Sequence, residues 1–322
     1  MLKPCSELSQ LLEEDPIGTA PIWTKCIVIE LPPPWSAKIE KSKHFDESIA
    51  SYINELNEAG HKIRLQCILP DEQYSTPGMR RVMLFTKDPE FLLATHRLEY
   101  LIPKAFLPDL CRSILKKPQQ AEKYTKFKQD APSIRDILIC THGNRDRCCG
   151  SIAVPLYHQL RRQYTQPNEL TNSIRVWRTS HTGGHRFAPT VIDLPQGRYW
   201  AYVDELTIDS IIHNSGPISK LNKNYRGCAL VSSVQEQNAE RELLFDLGWS
   251  WIDFKKYICT VKSSKENDSH LVNAFYLEPK MNSKHNFQFK IQYEKSIPTM
   301  NCMKEGNKGL NKKYRVVKNT QL

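Results

Sequence analysis

Apolar positions along the chain fall into short continuous runs and helix-spaced series, and together they predict a mixed α/β protein. Residues 26–31 (CIVIEL) form a run suited to a buried strand, stopped by Pro32, Pro33 and Pro34. Asp46 precedes a series in which Ile49, Tyr52, Ile53 and Leu56 share one helical face, closed by Gly60. Residues 63–69 and 81–85 supply two further strands, and a looser helical pattern covers 92–115. The polar stretch 116–130 (KKPQQAEKYTKFKQD) is the expected linker, which bounds a first α/β domain at residues 1–125.

The second half opens on a strand, 134–139, that runs directly into Cys140. A helix over 151–163 follows, with Ile152, Leu156 and Leu160 at helical spacing, then a strand over 174–177. Residues 190–194 pair with 198–203 across the turn Pro195-Gln196-Gly197, and a long helix over 232–247 ends at Gly248. Strand, helix, strand, hairpin, helix is the order of a thioredoxin-like domain, expected here at residues 132–260. Short strands (FKKYICTVK, LVNAFYLE, FQFKIQY) lead into a β extension at 261–302, and residues 303–322 read as a basic flexible tail.

Composition narrows this little until the cysteines are counted. No run approaches the ~18 apolar residues of a membrane helix, and residues 1–16 have no signal-peptide h-region, so the cytoplasm is the expected compartment. In that reducing setting ten cysteines do not suggest a disulfide framework; clustered ones read as metal-binding or redox-active. Most are single, such as Cys26 and Cys67, and read as small buried hydrophobes. Only Cys140, Cys148 and Cys149 cluster. The net charge of +10 is concentrated at residues 280–322, where nine lysines and one arginine face Glu294 and Glu305. The rest is near balance, and with no nucleic-acid signature the tail reads as a solvated extension or a handle for an acidic partner.

The chemistry is concentrated between Cys140 and His185, in CTHGNRDRCC and WRTSHTGGHRFAPT. Eight residues separate Cys140 from Cys149, thirty-one separate Cys149 from His181, and three separate His181 from His185. Both loops follow strands, so two thiolates and two imidazoles can converge at one sheet edge. Gly183 and Gly184 exclude a helical HxxxH face and imply a loop whose backbone passes close to something. Such a donor set suits structural zinc or a Rieske-type [2Fe–2S] centre, and the wide cysteine spacing argues against an ordinary zinc finger. Composition alone leaves the two evenly matched.

The string C-T-H-G-x-R-D-x-x-C followed by H-x-G-G-H-[KR]-F-A resembles the signature of the sucrase/ferredoxin-like family, as do CSELSQLLEEDPIGTAPIW, ELPPPW and YRGCAL elsewhere in the chain. The resemblance spans roughly residues 5–255. It implies a thioredoxin-like ferredoxin domain holding a [2Fe–2S] cluster, with Cys140 and Cys149 on one iron and His181 and His185 on the other. Cys148 is the alternative ligand. His142, Arg145, Gly183 and Gly184 are expected around these ligands: His142 as a hydrogen-bonding or turn-capping group, Arg145 either paired with Asp146 to shape the loop or lowering the charge cost of a reduced cluster.

Neutral imidazoles in place of two thiolates raise a cluster's potential, and their second ring nitrogens couple the electron to a proton. The expectation is therefore an electron carrier served by a separate redox partner, rather than a stand-alone enzyme. A structural zinc module is the alternative. A tyrosine-phosphatase loop fails because the sixth residue after Cys140 is Asp146, and a thioredoxin CxxC is absent. Despite the family's name, no carboxylate pair supports glycoside hydrolysis.

Overall fold

The computed structural model describes residues 5–90, 94–116, 118–130, 134–164, 174–278, 283–299 and 309–322. In chain order the elements are α1 (Cys5–Leu11), β1 (Lys25–Glu30), α2 (Glu47–Glu58), β2 (Ile63–Ile68), β3 (Met79–Lys87), β4 (Thr95–Pro103), α3 (Leu107–Lys116), β5 (Arg135–Cys140), α4 (Arg147–Tyr164) and β6 (Ile174–Thr179). There follow β7 (Val191–Leu194), β8 (Arg198–Trp200), α5 (Glu205–His213), β9 (Tyr225–Cys228), α6 (Val234–Leu247), β10 (Lys255–Ser264), β11 (Ser269–Glu278), β12 (Ser283–Thr299) and β13 (Gly309–Gln321). The fold class is α/β, and the strand–helix–strand–hairpin order expected after residue 132 is present in β5, α4, β6 and β7–β8. No helix among the described residues is long and apolar enough to cross a membrane.

Two compact units are each discontinuous in sequence. The first comprises Trp23–Lys87 and Thr95–Thr182; the second comprises Met1–Ile22, Asp88–Ala94 and Gly183–Leu322. The boundary expected between residues 125 and 132 falls inside the first unit. Residues 116–130 are not a linker there: a 3-10 helix spans Pro118–Phe127, and its Ala121 and Tyr124 are buried in the unit's core.

In the first unit the strand order is β4-β3-β1-β2-β6-β5. β1 and β2 are parallel, as are β5 and β6, while β3 and β4 add antiparallel edges. Ile27 and Ile29 of β1, Val82 and Leu84 of β3, and Ile49, Ile53 and Leu56 of α2 build the main core with Leu110 and Ile114 of α3. The helical pattern expected over 92–115 is partly overturned; its first residues, 92–93, lie outside the described ones. Leu98, Tyr100 and Ile102 repeat with the period of two that puts alternate side chains on one sheet face, so Thr95–Pro103 joins β3 as a nine-residue strand.

The β2–β6 junction is a single antiparallel residue pair, Ile68↔Thr179. Side chains reinforce it. Glu99 of β4 is buried and ion-paired with Arg81, Arg97 and Arg175, while Asp136 of β5 accepts from Arg175 and the Trp177 indole and pairs with Arg97 at 2.8 Å. Three arginines thus share two buried carboxylates across β3, β4, β5 and β6. Burial pushes the Glu99 carboxyl up, but the hydrogen bonds and charge of Arg175, then Arg97 and Arg81, outweigh it and hold the pKa at about 2.

In the second unit β7, β8 and β9 form an antiparallel meander, and β10–β13 form a separate four-stranded antiparallel sheet. Ile258, Val272, Ala274, Tyr276, Phe289 and Ile291 are its buried apolar side chains, and α6 packs on it. The tail expected to be flexible is a correction in its described part. Residues 309–321 pair with β12 from Gly309↔Thr299 to Gln321↔Phe287. Lysines read as solvated in a charge count are here what keeps an edge strand from pairing further. Lys313 points inward and is buried: its Nζ donates to the Asp15 carbonyl at 2.5 Å and lies 3.5 Å from Glu14.

Burial lowers the Lys313 ammonium to about 8, the nearby Glu14 and Asp15 offsetting only part of that cost. Between about 8 and the ordinary lysine value of 10.5 the unfolded chain holds a proton that the folded chain has released, so stability should rise with pH across that window. Urea unfolding from pH 7.5 to 10.5 checks this. Lys313→Met should flatten that part of the curve; an unchanged slope would show that Lys313 is not its source.

Candidate functional site

The β5–α4 turn explains how Cys140 and Cys149 meet. Cys140 ends β5 with its side chain buried, and the chain returns through a short loop into α4. The helix starts at Arg147, four residues earlier than its apolar spacing indicates, so Cys148 and Cys149 lie in its first turn rather than in a wide loop. Asp146 sits where a helix cap belongs, and its Oδ1 accepts from the Cys148 N–H at 2.9 Å. That is the role of the motif's aspartate. Arg145 is exposed and makes no ion pair with Asp146.

Two glycines set how closely loop and helix approach. A Cβ on Gly150 would lie 2.7 Å from the Gly143 Cα, a distance that requires the backbone to move. At an unobstructed helix position Gly→Ala stabilises by about 0.5–1 kcal/mol. Here overpacking should reverse the sign and cost about 1–3 kcal/mol. Gly150→Ala is expected to lower the melting temperature; a raised melting temperature would show that the loop yields freely.

His181 follows β6 and is held by β2. Ser180 exchanges backbone and side-chain bonds with Cys67, Gln66 Nε2 donates to the Ser180 carbonyl at 2.5 Å, and an Arg64 Nη2 donates to the His181 carbonyl at 2.9 Å. His142 braces the same segment. Its Nε2 meets the Ser36 carbonyl at 2.8 Å, and its Nδ1 accepts from the His181 N–H at 3.3 Å, which assigns a neutral Nε2–H tautomer. Burial, the largest influence on this ring, lowers its pKa and favours the same neutral form. His142 therefore positions the His181 backbone, and Ser36, Arg64, Gln66 and Cys67 build the floor beneath it.

Among the described residues, Cys140, Cys149 and His181 bring their ligand atoms within 4.8 Å of one another. Cys149 Sγ lies 3.9 Å from His181 Nδ1. Cys148, although buried, is not in this group. The Cys149 thiol, followed by His181, holds the Cys140 thiol well below the ordinary range despite burial. The same contact, with Cys140 as the main influence, pushes the Cys149 thiol up. The thiolate form is thus favoured on Cys140 over Cys149, beside the N-terminal end of α4, where the helix dipole favours an anion.

His185 belongs to the second unit, on the 3-10 turn His185–Phe187. Gly183 and Gly184 have φ of 82° and 66°, and the group against them is Arg226. Its Nη1 donates to the Gly183 carbonyl at 3.0 Å, and a Cβ on Gly184 would fall 2.7 Å from its Nη2. The same guanidinium donates to the Thr19 carbonyl at 2.7 Å. Arg226 lies in YRGCAL, a string visible in the sequence although its role was not. Cys5 is disulfide-bonded, an exception to the reading of the cysteines as reduced; Cys302 lies outside the described residues.

Residues 16–227 match the sucrase/ferredoxin-like family. The chain belongs to that family. Within it, a 130-residue stretch is 27% identical to the "Altered inheritance of mitochondria protein 32" of Meyerozyma guilliermondii, covering 38% of this chain and 43% of that protein. The chain thus spans less than half the length of that relative. Among solved structures, the thioredoxin-like [2Fe–2S] ferredoxin from Aquifex aeolicus is 13% identical, covering 28% of this chain and 89% of its own, with a TM-score of 0.25. A redox role agrees with this family and with the convergence of two buried thiols and a half-buried imidazole.

Proposed function

We propose that this sucrase/ferredoxin-like protein is a one-electron carrier, with a [2Fe–2S] cluster bound by Cys140, Cys149, His181 and His185. The observation carrying this reading is the convergence of two buried thiols and a half-buried imidazole. That donor set fits the group: the thiols supply soft anionic ligands, one already favoured as thiolate, and an imidazole supplies a neutral one. His185 enters from the sequence resemblance. When bound, the cluster supplies a site that stores one electron reversibly.

The chain's own residues set how that site behaves. Burial of Cys140 and Cys149 keeps water from the thiolates, and the α4 cap fixes their spacing. His181 turns Nδ1 toward Cys149, which leaves Nε2 as the atom where a proton is gained or lost. The reduction potential should then fall by about 59 mV per pH unit where one proton accompanies the electron. A potential independent of pH from about 6 to 10 would remove the proton coupling.

Iron, acid-labile sulfide and zinc content of anaerobically purified protein, with EPR after dithionite reduction, test the cofactor. About two irons and two sulfides per chain with a Rieske-like low average g are expected. One equivalent of zinc that persists after reconstitution with iron and sulfide would overturn the electron-transfer reading in favour of a zinc-stabilised binding module.

A further inference from the structure

Beside the His181 segment, wholly within the first unit, lies an open cleft of about 400 Å³. Its apolar wall is formed by Ile53, Ile63 and Leu65, behind α2 and β2. Its charged side chains are unevenly matched: Lys38, Arg64 and Arg145 face a single acid, Glu40. In a chain whose charge is near balance outside its last 43 residues, this is a local concentration of positive charge. Arg64 spends one Nη2 on the His181 carbonyl, and its buried Nε has no hydrogen-bond partner. Lys38 and Arg145 are exposed and make no ion pair among the described residues.

The geometry points to a binding site for a small organic anion, with its oxyanion group at Arg64, Arg145 and Lys38 and its carbon body against Ile53, Ile63 and Leu65. A forked guanidinium flanked by two further cations suits a phosphate or carboxylate, and hydrogen bonds between charged partners are the stronger ones. The apolar wall separates this from a site for a bare inorganic ion, since it rewards an attached hydrocarbon or ring. The cleft volume matches that of small-ligand pockets. The ligand would sit against the segment that carries His181, so its charge would be felt at that side chain.

This inference rests on the cleft residues and not on the identity of the bound metal. Isothermal titration of the full chain, with iron, sulfide and zinc assayed on the same sample, tests it. Phenyl phosphate and phenylacetate are the probes, with inorganic phosphate for comparison. Saturable one-to-one binding is expected for at least one organic probe, weaker for inorganic phosphate, and whichever organic probe is tighter identifies the oxyanion class. Lys38→Gln and Arg145→Gln, both at exposed positions, should each weaken binding about tenfold, and Glu40→Gln should strengthen it. Absence of saturable binding by both organic probes would overturn the proposal, as would unchanged affinity in the Lys38→Gln/Arg145→Gln double variant.

Discussion

Replacing Glu99 by alanine is expected to destabilise the protein by about 3–5 kcal/mol, because it strands buried arginines around a single remaining carboxylate. Glu99 is 2% exposed and meets three guanidinium groups. Its removal leaves Arg97 and Arg175 sharing Asp136 and takes from Arg81 its ion-pair partner, in a part of the first unit where β2 and β6 share one residue pair. The effect should also be pH-dependent. With Glu99 held at about 2 against an ordinary 4.5, its contribution is complete above pH 4.5 and is lost as pH falls from there toward 2. Urea midpoints from pH 7 down to pH 2.5 measure this, with Glu99→Gln as the neutral isostere that should remove the acid-side dependence. A loss below about 1 kcal/mol for the alanine variant at pH 7 would show that the arginines rehydrate and the network is not a tie.

The second large effect separates adjacent cysteines. Cys149→Ala should abolish metal binding, because Cys149 belongs to the convergent group and lowers the pKa of the Cys140 thiol. Cys148→Ala should keep the metal and cost about 1 kcal/mol of packing at most, since Cys148 is a small buried side chain outside that group. Metal and sulfide analysis of the two variants, with a thermal melt of each, reads the contrast. Loss of metal from Cys148→Ala with retention in Cys149→Ala would mean that the first turn of α4 presents the other thiol when loaded.

The sequence alone carried the chemistry that depends on residue type and local spacing. Two clustered cysteines after one strand, two histidines after another and the glycines between them were sufficient to locate the site, because ligand identity is a property of the residue. Apolar runs likewise placed β1, β2, β5 and α2, whose periodicity is set by burial on one face. The spacing did not reveal that residues 1–125 are not a domain, or that 309–321 is a strand. Those outcomes rest on pairings far apart in the chain: Gln66 and Arg64 with the His181 segment, Glu99 with Arg175, Lys313 with Asp15. Each is a buried polar group whose free energy depends on a partner tens to hundreds of residues away, and a lysine or arginine read singly looks solvated until that partner is in place. Local pattern thus nominated the candidate ligands, while tertiary contacts decided which of them meet, how tightly they are held and which charges are left to face solvent.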